Sequence, residues 1–150
     1  MSIAQTPWRF SLHGGHSRAF CDHADDPLEA ILDAAVAAGC HTYGVTEHAP
    51  RIEPHRLYAE EVALGWDVAT LDQLFAHYAA ALERLSAAYA GRLQVLRGFE
   101  AEVVPEDRYV EVMRGYRTRY AFDYMVGAVH WVAGEIIDYR REDFDRALEK

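Results

Sequence analysis

The chain reads as a parallel α/β fold, and three observations carry that reading. Short runs rich in β-branched and aromatic residues alternate with amphipathic helical patterns about four times, the order that builds a parallel sheet with crossover helices. Glycines and prolines punctuate the joints between them. Each predicted strand also ends on a histidine or a carboxylate: His13, Glu47 with His48, Glu100 and His130. In parallel α/β barrels that end of the strands is where the connecting loops converge and chemistry sits, so these residues are expected to share one site.

Each element has its own signal. Trp8 to Leu12 alternates large apolar with polar residues and predicts a short strand running into His13. After a polar loop, Asp26-Pro27-Leu28-Glu29 reads as an N-cap, a proline at the first helical position and a capping-box glutamate. Leu28, Ile31, Leu32, Ala35 and Val36 then form one apolar stripe, which Gly39 closes. His41 to Thr46 predicts the second strand, delivering Glu47 and His48. A proline-punctuated loop is expected from Ala49 to Ala69, then a long amphipathic helix with Thr70 and Gln73 as its capping box and Gly91 as its stop. Leu93 to Phe99 predicts a strand ending at Glu100, Pro105 opens a helix with Tyr109, Val112, Met113 and Tyr116 on one face, and Phe122 to Val129 is a strand ending at His130. A last helix is expected over Arg141 to Lys150.

The length of 150 residues suits one domain with a real core. Asp and Glu outnumber Lys and Arg by 24 to 15, and no basic cluster forms the footprint that nucleic-acid binding requires, so no nucleic-acid partner is expected. The N-terminal stretch lacks a signal-peptide pattern and no window approaches the roughly 18 apolar residues of a membrane span. A cytoplasmic protein without membrane contact is therefore expected, with Cys21 and Cys40 as reduced thiols.

Five of the eight histidines fall within the first 48 residues, among them His13, His16, His23 and His48. Imidazoles and carboxylates are the ligands that zinc, manganese and iron accept, and a bound metal activates water near neutral pH. Glycines between His13 and His16 let the backbone bend so that both rings can face one centre. A Gly turn flanked by polar residues is the structural alternative for that block, and solvent-facing or core histidine the alternative for each ring alone. A cluster at several strand ends favours a metal site.

The ordered blocks HGGHS and FCDHA, then Thr46-Glu47-His48-Ala49-Pro50, Gly98-Phe99-Glu100 and Gly127-Ala128-Val129-His130, resemble the motif series of PHP superfamily phosphoesterases, closest to histidinol-phosphatases. The resemblance implies a distorted barrel of about seven βα units, of which residues 1–150 would be the N-terminal portion, cut short at the C-terminus. It implies two or three divalent ions (Zn, Mn or Fe), with His13 and His16 on one, His23 and His48 on a second, Glu100 bridging and His130 serving a third. It also implies hydrolysis of a small phosphorylated substrate, L-histidinol phosphate, in histidine biosynthesis. Two glycines here separate His13 from His16 where the family has a His-x-His pair, and no Asp-x-His pair follows His130.

Glu47 is the candidate catalytic residue, orienting a ligand or a water from behind the metals, with a plain strand-end role as the alternative. Glu102 alternates with Glu100 and so shares its face, a lesser ligand candidate; Arg51 and Arg97 are the cations nearest in sequence that could meet a substrate phosphate but are read chiefly as solvated surface residues, and His41, His55 and His77 as structural. The alternatives to an enzyme are a non-catalytic metal-binding module and an inactive fragment.

Overall fold

The computed structural model describes residues 9–150, so Trp8 lies outside the described residues. Four strands, β1 (Phe10–Ser11), β2 (Thr42–His48), β3 (Gln94–Ala101) and β4 (Tyr124–Gly127), form one parallel sheet in the order β1-β2-β3-β4. Helices α1 (Leu28–Ala37), α3 (Val68–Ala88) and α4 (Tyr109–Arg119) carry the chain between successive strands. Sequence neighbours are thus sheet neighbours, which is how α/β barrels begin.

The two faces of the sheet have different tasks, set by strand alternation. Val45 of β2 and Val95 and Phe99 of β3 turn towards the helices. There they join Leu28 and Leu32 of α1, Phe75, Tyr78, Leu82 and Leu85 of α3, and Met113 and Tyr116 of α4 in the hydrophobic core. On the opposite, concave face lie Gly44 and His48 of β2 and Gly98 and Glu100 of β3, His48 and Glu100 being paired in register. A β-carbon at Gly44 would sit 2.0 Å from the Tyr124 hydroxyl and one at Gly98 2.5 Å from its ring. The missing side chains let Tyr124 of β4 reach across the sheet and donate a 2.7 Å hydrogen bond to the Leu12 carbonyl. The polar groups at the strand ends sit beyond this trough.

The helix starts differ from expectation. Asp26 does not cap α1: Pro27 is the N-cap residue, and its carbonyl accepts from Ala30 and Ile31, while the Asp26 carbonyl accepts from Arg18 and ties down the loop. In α3 the cap is Asp67, whose carboxylate accepts from both the backbone and the hydroxyl of Thr70 at 2.8 Å. Thr70 is therefore the third residue of the helix, and the first turn is Val68 onwards. Pro105 opens a turn, its carbonyl accepting from Arg108 and Tyr109, before α4 begins at Tyr109.

Two elements fall where none was expected. A 3₁₀ turn (Pro54–Arg56) and helix α2 (Ala59–Ala63) occupy the stretch read as loop, the Glu61 carboxylate accepting from the Tyr58 backbone at 2.8 Å. The strand read through to Val129 stops at Gly127, and an antiparallel ribbon of β5 (Trp131–Val132) and β6 (Glu135–Ile136) follows. Its two-residue turn has positive φ at both Ala133 (49°) and Gly134 (81°), the backbone that matches hairpin twist. Helix α5 (Arg141–Leu148) closes the described chain.

Candidate metal centre

His13 and His16 follow β1, His48 ends β2, Glu100 lies at the end of β3 with Glu102 just past it, and His130 follows β4. Their ligand atoms fall into three overlapping groupings, each with members within 4.8 Å of one another: His13, His16 and Glu100; His16, His23 and His48; and His48, Glu100, Glu102 and His130. All six residues singled out as ligands in the sequence are thus in one constellation. Glu102, a lesser candidate there, joins it because i and i+2 on a strand share a face. His41, His55 and His77 belong to none of these groupings.

Glu100 is the hub. Its Oε2 lies 2.6 Å from His13 Nε2 and 3.9 Å from His16 Nε2, and its Oε1 lies 3.0 Å from His130 Nε2 and 3.5 Å from His48 Nδ1. The Glu102 carboxylate is hydrogen bonded to His130 Nδ1, lies 3.6 Å from His48 Nδ1 and accepts from the Tyr58 hydroxyl at 3.0 Å. Glu47 takes a different position. Its Oε1 accepts from the Ser17 backbone and hydroxyl at 2.6 and 2.8 Å, and its Oε2 lies 3.2 Å from His16 Nδ1. It therefore fixes the His16 ring from behind. The His16 ring stacks on His48 with centroids 4.2 Å apart.

These contacts set the protonation states. Burial opposes ionisation of Glu100, but hydrogen bonds with His130 and His13 outweigh it and hold the carboxyl at about 2. His130, bonded to Glu100 and Glu102, is raised to about 10. Burial and the neighbouring His16 push His48 down to about 2, so it is a neutral ring at any ordinary pH. Burial likewise lowers His23, with His16 adding to the effect.

The same region passes a direct test of fit to a cation. His48 Nδ1 and Glu102 Oε2 are buried with no hydrogen-bond partner among the described residues, although such atoms are rarely left unpaired. A proton on His130 lies between Glu100 and Glu102, which both bond the ring. A divalent cation would replace that proton and satisfy the orphaned lone pairs together, so imidazole and carboxylate donors here suit zinc, manganese or iron.

The two arginines read as surface residues are not free cations. Arg51 is buried (4% exposed), forms an ion pair with Glu61 and lies over the Tyr58 ring at 4.2 Å. This packing holds Tyr58, and through it Glu102, in place. The expectation of a solvated Arg51 fails because α2, invisible in the sequence pattern, brings Glu61 over it. Arg97 donates to the Ala121 carbonyl at 2.9 Å and faces Asp123 at the entry to β4. Tyr58 and Glu60 carry no signal in the sequence, and Asp138 lacks the histidine that would make an Asp-x-His pair. Glu60 Oε1 lies 3.7 Å from His23 Nδ1, and Asp138 Oδ2 lies 3.5 Å from His130 Nε2. Among the described residues no helix is long and apolar enough to cross a membrane.

Comparison with known proteins bears on this geometry. The family model described as the PHP domain matches residues 12–150. The chain is 36% identical over 135 residues to the "Probable histidinol-phosphatase" of Schizosaccharomyces pombe, covering 89% of this chain and 43% of that protein. It is 30% identical over 146 residues to the histidinol-phosphatase of Saccharomyces cerevisiae, covering 91% of this chain and 43% of that one. The chain spans less than half the length of these curated relatives. A crystal structure of a candidate histidinol phosphatase from Listeria monocytogenes superposes with a TM-score of 0.65 over 92% of this chain and 51% of that one. At 24% identity that likeness is one of fold: parallel strands curled into part of a barrel with helices outside.

Proposed function

This chain belongs to the PHP domain family, and from that premise we propose that it is a metal-dependent phosphate monoester hydrolase, acting in the cytoplasm on L-histidinol phosphate to release L-histidinol and phosphate. The observation that carries the reading is the set of three overlapping histidine and carboxylate groupings at the ends of parallel strands. The names of the two fungal relatives support the substrate.

Two or three ions, zinc, manganese or iron, would be held by His13, His16, His23, His48, Glu100 and His130, with Glu102 completing the buried grouping. Such ions supply Lewis acidity and bring the pKa of water down towards neutrality. Glu100 presents one oxygen to His13 and His16 and the other to His48 and His130, which suits a carboxylate shared between neighbouring positions. His48, kept neutral by burial, has its lone pair available at working pH. Glu47 acts through His16: with Oε2 against Nδ1, the other ring nitrogen is left facing Glu100. Arg51 and Arg97, the cations nearest in sequence, are engaged by Glu61 and Asp123, so neutralising a phosphate dianion falls to cations held in the groupings.

The test is phosphate release from L-histidinol phosphate by the metal-loaded chain. We expect turnover with manganese or zinc, loss with a chelator, and loss in Glu100→Gln under the same metal supply. Turnover that persists in chelator, or in Glu100→Gln at the original rate, contradicts the proposal.

A further inference from the structure

An open cleft of about 330 Å³ adjoins the candidate metal-binding groupings and extends beyond them. His23 and His48 form one end, and Tyr58, Trp131, Ile136 and Tyr139 supply apolar and aromatic walls. The Tyr58 and Trp131 rings are parallel, with centroids 6.5 Å apart. Two carboxylates, Glu60 and Asp138, also line the cleft. Their side chains are 24% and 52% exposed, neither belongs to a metal-binding grouping, and among the described residues neither is ion-paired with Arg or Lys. Each faces only a histidine, His23 and His130 respectively.

We propose that this cleft is the leaving-group pocket and that it selects a small alcohol bearing a protonated amine, with Glu60 and Asp138 as the recognising carboxylates and Trp131 and Tyr139 as walls for the rest of the molecule. The proposal rests on the phosphatase reading for the direction of the substrate, phosphate at the histidines and alcohol in the cleft. The chemistry of the lining decides the rest. Aromatic faces bind flat or aliphatic groups and attract cations. Two carboxylates without an arginine or lysine partner attract an ammonium group through charge-assisted hydrogen bonds and repel an alcohol that carries its own carboxylate. Pockets of this kind gain specificity from a few polar groups set in apolar walls. The hairpin supplies Trp131 and Ile136, and the chain leaving it supplies Asp138 and Tyr139, so the segment after β4 shapes the pocket.

The test uses binding without phosphate, so that its result is independent of turnover. The metal-loaded full chain is titrated calorimetrically at pH 8, where the amine is protonated and a free imidazole neutral, with L-histidinol and with 3-(imidazol-4-yl)propan-1-ol, which lacks the amine. L-Histidinol should bind about tenfold more tightly or better, as expected for charge-assisted contacts. The preference should shrink in Asp138→Asn and in Glu60→Gln, vanish when both are changed, and survive Glu142→Gln, an exposed acid outside the cleft. Equal binding of the two alcohols, no binding of either, or a preference that survives both substitutions overturns the proposal; the last would mean that the amine coordinates a metal instead. A chain that fails to hydrolyse phosphate esters yet keeps this preference would refute the phosphatase reading and leave the amine pocket standing.

Discussion

The two halves of the candidate metal centre are built by different means. His48 and Glu100 come from β2 and β3, which pair over seven consecutive positions, and their side chains are 15% and 4% exposed. His13, His16 and His23 come from the loop after β1, a strand of two residues, and His13 and His23 are 51% and 41% exposed. Backbone register positions the first group. The second is positioned by carboxylates: Glu100 lies against His13, Glu47 against His16 and Glu60 against His23. Half the centre is therefore preorganised by the sheet, and half depends on tethers that a metal would tighten.

Glu100→Gln should show the largest effect, because this one side chain touches four histidines from both halves. Metal affinity, measured by competition with a chelator of known strength, should fall by about 100-fold or more, beyond the usual range for a supporting contact. His23→Ala removes a half-exposed member of a single grouping and should cost about tenfold. Equal losses in the two variants would mean that the halves are not distinct.

Gly44→Ala tests the sheet-borne half from beneath. The added methyl group would displace the Tyr124 hydroxyl from its bond to Leu12, so denaturant melts should report a loss of about 1–3 kcal/mol. Wild-type stability in this variant would show that the trough is loosely packed.

The physical reasons for what is legible in the sequence follow the same division. The parallel sheet is readable because long helices such as α3 carry a clear 3.6-residue stripe and β2 and β3 are seven and eight residues long. His13, His48, Glu100 and His130 are readable because they end or closely follow predicted strands, and His16 and His23 because they stand in the HGGHS and FCDHA blocks. Helix α2 is five residues long and the strands of the hairpin two each, too short for any period to register. Everything these elements bring to the site stays hidden with them: Tyr58 against Glu102, Glu61 against Arg51, and Glu60 and Asp138 at the cleft. The Ala133-Gly134 pair between Val132 and Glu135 is the one local signal that could have announced the hairpin, with Gly at the second turn position.

A smaller effect separates the metal-free and metal-loaded states. His130 is raised from 6.5 to about 10 by its bonds to Glu100 and Glu102, so its contribution to stability is fully present below pH 6.5 and is lost as pH rises through about 10. With a chelator present, the melting temperature should decline over that window. With zinc bound, His130 must be neutral to coordinate and the decline should be absent. A flat profile in the metal-free protein would place the proton elsewhere.

The most direct test of the central claim is a crystal structure of the metal-loaded chain with anomalous scattering recorded at the zinc or manganese edge. The account predicts two or three peaks, each within about 2.0–2.3 Å of donors from His13, His16, His23, His48, Glu100, Glu102 and His130. Peaks confined to His41, His55 or His77, or no peak between Glu100 and the histidines around it, would contradict it.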